Sequence, residues 1–217
     1  MKTNRKISGL MNTRVITLLL PLMIICGTSC TKYNYVQVKA PTSHLDKTMW
    51  EYLSTDSYNW HLTQEMIKHA GLQDLFEGKS QYGSDITFFG ITDLSIKSYL
   101  FDNQLESVRD IPADQCKEWI LTCVYPKAIP LEGWKEGAQL PGERIGKGGE
   151  VCTMLSGKKL WIYAYREPYN GVVGMGPKKL YLVSMDKTGS SDVASHNIAT
   201  KTGIVHSLAY TFKLNDF

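Results

Sequence analysis

Apolar residues recur at helical spacing early in the chain and at strand spacing later. Leu45, Met49, Trp50 and Leu53 predict a short helix. Leu62, Met66, Ile67 and Ala70 predict a longer one, with Gly71 where a helix should stop. A short helical piece, residues 72–76, follows. Residues 86–91 read ITFFGI, an unbroken apolar run that predicts a buried strand. Asp93 is placed to cap a helix reaching about Phe101, and Asp110 with Pro112 marks the next start. Cys116, Trp119, Ile120, Cys123 and Val124 then fall at i, i+3, i+4, i+7 and i+8, the clearest amphipathic helix of the chain, closed by Pro126.

The second half changes period. From Pro126 to Gly157 there are seven Gly and three Pro, which favour turns and loops. Residues 151–155, 160–165 and 179–185 read as strands. The last strand is expected over 204–214, where Ile204, His206, Leu208, Tyr210, Phe212 and Leu214 alternate with a more polar set and place His206 on an apolar face. Helices first and strands later predict an α+β fold in a single domain.

Composition fits a globular chain: 217 residues, 43% hydrophobic and 21% charged. The net charge of +3 is concentrated at the start. Lys2, Arg5, Lys6 and Arg14 lie in the first 29 residues without an acid, and the remainder holds 20 cations against 21 anions. That balance argues against a basic face for nucleic acid and against a polybasic membrane patch.

The first thirty residues read as an address. A charged segment precedes the eleven-residue apolar run Val15 to Ile25, too short to span a membrane as a helix. Gly27, Thr28 and Ser29 then lead into Cys30. This resembles the lipobox of a bacterial lipoprotein. The resemblance implies cleavage before Cys30, a thioether to diacylglycerol on its sulfur and an acyl group such as palmitate on its new amino group. The expected organisation is a signal peptide over 1–29, a lipidated tether over 30–43 and one domain over 44–217. The expected partner on this account is a membrane, held through the N-terminal lipid at a bacterial outer membrane. Surface lipoproteins of this kind often carry acids just after the cysteine. Residues 31–35 carry none, which favours the periplasmic face.

Cys116, Cys123 and Cys152 remain in the mature chain. Two readings stay open: three buried thiols, or a bridge from Cys152 to one of the others.

Little in the sequence points to catalysis, and no catalytic residue, metal ligand or cofactor is expected. His61 and His69, eight residues apart with Glu65 between them, read as a solvated helix face, and His44 and His196 as residues of polar loops without partners. The Gly-rich runs 142–150 and 171–179 match no phosphate or dinucleotide pattern, and the second reads as a hairpin. Trp161, Tyr163 and Tyr165 share one strand face. Such a face suits stacking on sugar rings or holding a peptide, and equally suits a sandwich core.

Four stretches together resemble the fasciclin-like (FAS1) domain: residues 48–78, its opening helices; 86–100, its first motif; 119–137, the segment after its central helix; and TKTGIVHSL at 200–208, its second motif. Gly90 and Ile91 stand where the family has Ala and Pro, and Cys123 and Tyr125 occupy a segment that usually holds a His. The chain is most similar to divergent lipoproteins of Bacteroidetes outer membranes. The resemblance implies a FAS1-like β-wedge or sandwich with several helices packed on it, Gly203 and His206 as residues of its structural motif, and a non-catalytic binding or adhesion module for a protein or glycan ligand. An accessory structural subunit of an outer-membrane uptake or envelope complex is the alternative. His206 itself reads as a buried neutral imidazole bonded to a neighbouring turn.

Overall fold

The computed structural model describes residues 45–217. Five helices are formed: α1 (Met49–Leu53), α2 (Ser57–His69), α3 (Gln73–Phe76), α4 (Asp93–Asp102) and α5 (Ala113–Thr122). Local chemistry sets their ends. The Thr48 hydroxyl accepts from the Glu51 N–H while the Glu51 carboxylate accepts from the Thr48 N–H, a capping box that starts α1. Asp56 accepts from the N–H groups of Tyr58 and Asn59 at the head of α2. That helix stops where Gly71 adopts a positive φ of 68°, and the Gly71 and Leu72 N–H groups turn back to the carbonyls of Lys68 and Ile67.

Nine strands follow in chain order: β1 (Ile86–Gly90), β2 (Val124–Tyr125), β3 (Gly137–Ala138), β4 (Lys147–Gly148), β5 (Glu150–Thr153), β6 (Lys159–Arg166), β7 (Lys178–Ser184), β8 (Ser190–Thr200) and β9 (Gly203–Leu208). Seven make one sheet in the order β2-β1-β9-β8-β7-β6-β5, and β3 with β4 forms a small separate hairpin. Only β1 and β9 run parallel; the other pairs are antiparallel. The fold is an α+β wedge. Its core joins Met66 and Ile67 of α2, Ile96 of α4 and Ile120 of α5 to Phe88, Leu160, Leu182 and Val205 of the sheet.

The bend of the wedge lies in β8. Residues 190–192 of this strand pair with β7, and its later residues pair with β9. The register shifts between Val193 and Ser195 and again between Ser195 and Ile198, and Asn197 sits at φ 62°. Such irregularities turn a strand from one half of a sheet into the other. The segment reads SSDVASHNIAT, and the two shifts erase its period of two. This is why the sequence reads as loop there and why His196 was expected in one.

Three further expectations are corrected. The last strand ends at Leu208, because the chain turns at residues 209–211 and leaves Tyr210 exposed. That strand is also buried on both faces: Val205 packs in the main core, and His206 on the other face stacks on Phe89 and bonds the Ile129 carbonyl. Asp93 does not cap α4. Its buried carboxylate reaches back to accept from the Thr63 N–H at 3.1 Å, tying α4 to α2.

Candidate functional site

The alternation of β6 gives its two faces different jobs. Leu160, Ile162 and Ala164 point into the main core. Trp161, Tyr163 and Tyr165 point to the outer face, where Val183 and Tyr181 of β7 join them. The cross-strand register sets Tyr163 opposite Tyr181 and Trp161 opposite Val183. The rings form a column, with Trp161 and Tyr163 stacked at 4.3 Å and Tyr163 and Tyr181 at 5.1 Å, 15° from parallel.

The Gly-rich segment covers one end of this column. The Trp161 indole N–H donates to the Gly148 carbonyl at 2.9 Å. A Cβ on Gly149 would stand 2.6 Å from that indole nitrogen, and one on Gly137 2.8 Å from the Tyr163 Cβ. Side chains at these positions would prevent the loop from lying flat on the rings. Arg144 fastens the loop by donating to the carbonyls of Met185 and Lys187, each at 2.6 Å. Trp161 and Tyr163 are therefore buried, and Tyr165 and Tyr181 are half-buried.

The other end stays open. Tyr163, Tyr165, Tyr181, Glu167, Ala138 and Gln139 line a groove of about 300 Å³. Across Tyr165 a second hollow of about 450 Å³ continues along Lys147, Arg166 and Val173. The Tyr181 hydroxyl donates to the Glu167 carboxylate. Burial, with that bond and charge behind it, holds Tyr181 protonated well above the usual tyrosine range. Burial and the Glu167 charge push Tyr163 up to about 12. The groove thus offers apolar ring faces, neutral hydroxyls and one carboxylate, a set suited to holding a ligand. Tyr181 and Glu167 were not singled out from sequence, although the alternation in KKLYLVS places Tyr181 on this face.

Elsewhere the polar residues are engaged structurally. His206 is fully buried. Its Nδ1 accepts from the Asn197 N–H at 3.3 Å, so its Nε2–H donates to the Ile129 carbonyl at 2.9 Å. Its ring stacks on Phe89 at 5.7 Å, and burial lowers its pKa to about 4. Asn197 accepts from the Leu131 N–H and donates to Glu132, and Thr87 fixes the same loop through Lys127 and Ile129. Gly203 has a φ of 132°, and a Cβ there would lie 1.9 Å from the Ile86 carbonyl oxygen.

His196, expected without a partner, accepts from the Leu180 N–H at 3.3 Å and lies 6.0 Å from the His206 ring. His61 pairs with Glu65 on the surface, whereas half-buried His69 bonds the Ile111 carbonyl at 2.8 Å and so leaves the expected solvated face. Cys116, Cys123 and Cys152 are buried free thiols. Among the described residues no group of three His, Cys, Asp or Glu is placed to hold a metal, and no helix is long and apolar enough to cross a membrane. Cys30 and His44 lie outside the described residues.

A second cleft, of about 320 Å³, lies where α2 meets the β8 bulge, between Tyr52, Trp60, Leu94 and Tyr210. No sequence signal joins these residues, because the fold alone brings them together.

No known family matches the chain, and no curated protein matches it. Among solved structures it is similar to a FAS1 domain pair from the insect cell adhesion molecule fasciclin I, with a TM-score of 0.45 and 10% identity. The alignment covers 70% of this chain and 44% of that one, so this chain spans less than half the length of that structure.

Proposed function

We propose that this chain is a non-catalytic binding module of a bacterial cell envelope, anchored to the outer membrane by lipid on Cys30 and presenting its tyrosine groove to a protein or glycan. The observation that carries the binding reading is the open end of the aromatic column. Tyr165 and Tyr181 keep part of their rings accessible in a groove that also holds Glu167 and Gln139. Ring faces stack on apolar sugar or peptide surfaces, and the carboxylate and amide take hydroxyl or N–H groups. The anchor rests on the cysteine after three small residues and a short apolar run, and the adhesion class on the fasciclin-like motif around Gly203 and His206.

The test is an array of polysaccharides and matrix or envelope proteins probed with the purified protein. Saturable binding that Tyr165→Ala abolishes and Tyr210→Ala preserves is the expected result. Binding that survives Tyr165→Ala would remove the groove from the function. The anchor is tested separately: Cys30→Ala should move the protein from the membrane fraction to the soluble one.

A further inference from the structure

The hairpin joining β6 to β7 has an apolar tip that nothing in the described chain covers. Tyr169 is 61% exposed, Val172 54%, Val173 78% and Met175 51%. The hairpin is built rather than slack. Tyr169 and Val172 exchange both backbone hydrogen bonds, at 3.0 and 2.9 Å, across Asn170 and Gly171, both at positive φ. Two such residues in an Asn-Gly sequence make the tight turn that suits the twist of a hairpin. Its base is closed by Glu167 N–H to the Pro177 carbonyl, Gly176 N–H to the Glu167 carbonyl, and the Arg166 guanidinium to the Gly176 carbonyl. The fold therefore holds four apolar side chains out in water on a braced support.

The charge around the tip indicates what covers it. Lys147, Arg166, Lys178 and Lys179 surround the base with Glu136, Glu167 and Asp192. Lys178 pairs with Glu136 at 3.9 Å, Lys179 pairs with Asp192 at 3.7 Å, and Glu167 accepts from Tyr181. Lys147 and Arg166 stand beside Val173 with no carboxylate paired to them among the described residues. An apolar tip rising from a mildly cationic collar matches acyl chains lying beneath phosphate headgroups, with a tyrosine suited to the boundary.

We infer that the hairpin tip, Tyr169 to Met175, inserts into the headgroup region of a phospholipid surface. The apolar tip and its collar do not rest on the anchor proposed above.

The test places an environment-sensitive fluorophore on the full protein at Met175→Cys, or at Lys159→Cys on the opposite end of β6 as control. Each is mixed with vesicles of phosphatidylethanolamine and phosphatidylglycerol carrying a nitroxide lipid. Quenching is read on the lipidated form and on a form with Cys26→Ser and Cys30→Ser, so that the fluorophore sits only at the chosen position, and mass spectrometry of the N-terminal peptide decides the anchor independently. The expected result is a blue shift and loss of most emission at residue 175, little change at 159, and loss of the effect with Val172→Asp and Val173→Asp together. Equal quenching at both positions, or none at 175, would overturn the inference while leaving the anchor and the groove untouched. A photo-crosslinker at 175 that joins another polypeptide without lipid quenching would assign the tip to a protein and overturn it equally.

Discussion

The imidazole of His206 and the carbonyl of Ile129 meet at 2.9 Å, and this bond fixes the loop leading to the aromatic groove against β9. Nδ1 is occupied by the Asn197 N–H, so the ring works only as the neutral Nε2–H form. The Trp134 indole donates to the same Ile129 carbonyl at 3.2 Å. His206→Ala would open a cavity beside Phe89, leave the buried Asn197 N–H without its partner and leave the Ile129 carbonyl with the Trp134 indole alone. A loss on the order of 3 kcal/mol is expected, lowering the melting temperature by roughly 6–12 °C. Thermal unfolding followed by circular dichroism checks it; an unchanged midpoint would show that the bond does not brace the fold.

The same residue predicts a pH dependence. Its pKa lies near 4 in the fold, against about 6.5 for an exposed histidine, because burial disfavours the cation. The unfolded chain then binds more protons between those values. His206 thus contributes in full above about pH 6.5, and its contribution falls as pH drops toward 4, by up to roughly 3 kcal/mol. Urea titrations at pH 7 and pH 4.5 should show a larger drop in stability for the native protein than for His206→Gln. Equal drops would place the pH sensitivity in other groups.

Gly203→Ala should be among the most damaging single changes. The position needs a positive φ and lies against the β1 backbone, so the added carbon must displace the parallel β1–β9 pairing. A destabilisation on the order of 4 kcal/mol is expected by denaturant unfolding. Gly71→Ala, with open space around its missing Cβ and strain from φ alone, should cost only about 1 kcal/mol.

The three buried thiols should resist modification. Burial raises Cys116 and Cys152 to about 11 and moves Cys123 up further, so little thiolate exists at neutral pH. Reaction with a thiol reagent should be negligible in the native domain and give three equivalents in denaturant, measured on a chain with both Cys26 and Cys30 substituted. One equivalent in denaturant without reductant would reveal a disulfide instead.

The parts legible in sequence are those where one period dominates. Ile86 to Gly90 is apolar but for Thr87 and is buried throughout, and the i, i+3, i+4 spacing from Cys116 to Ile120 marks the inner face of α5. Trp161, Tyr163 and Tyr165 were legible as one face, but the Gly-rich cover was not, since what lies on a sheet depends on long-range contacts. Strand β8 escaped because a bulged strand held by two neighbours needs no alternation of its own. Glu167 joined Tyr181 only through the hairpin register.

The most direct test of the groove is a titration of the protein, carbon-13 labelled on its tyrosine rings, with the ligand that the array identifies. Ring resonances of Tyr163, Tyr165 and Tyr181 should shift together and saturate, while Tyr52 and Tyr210 stay in place. Shifts confined to Tyr52 and Tyr210 would contradict the proposed site and move binding to the cleft between α2 and β8.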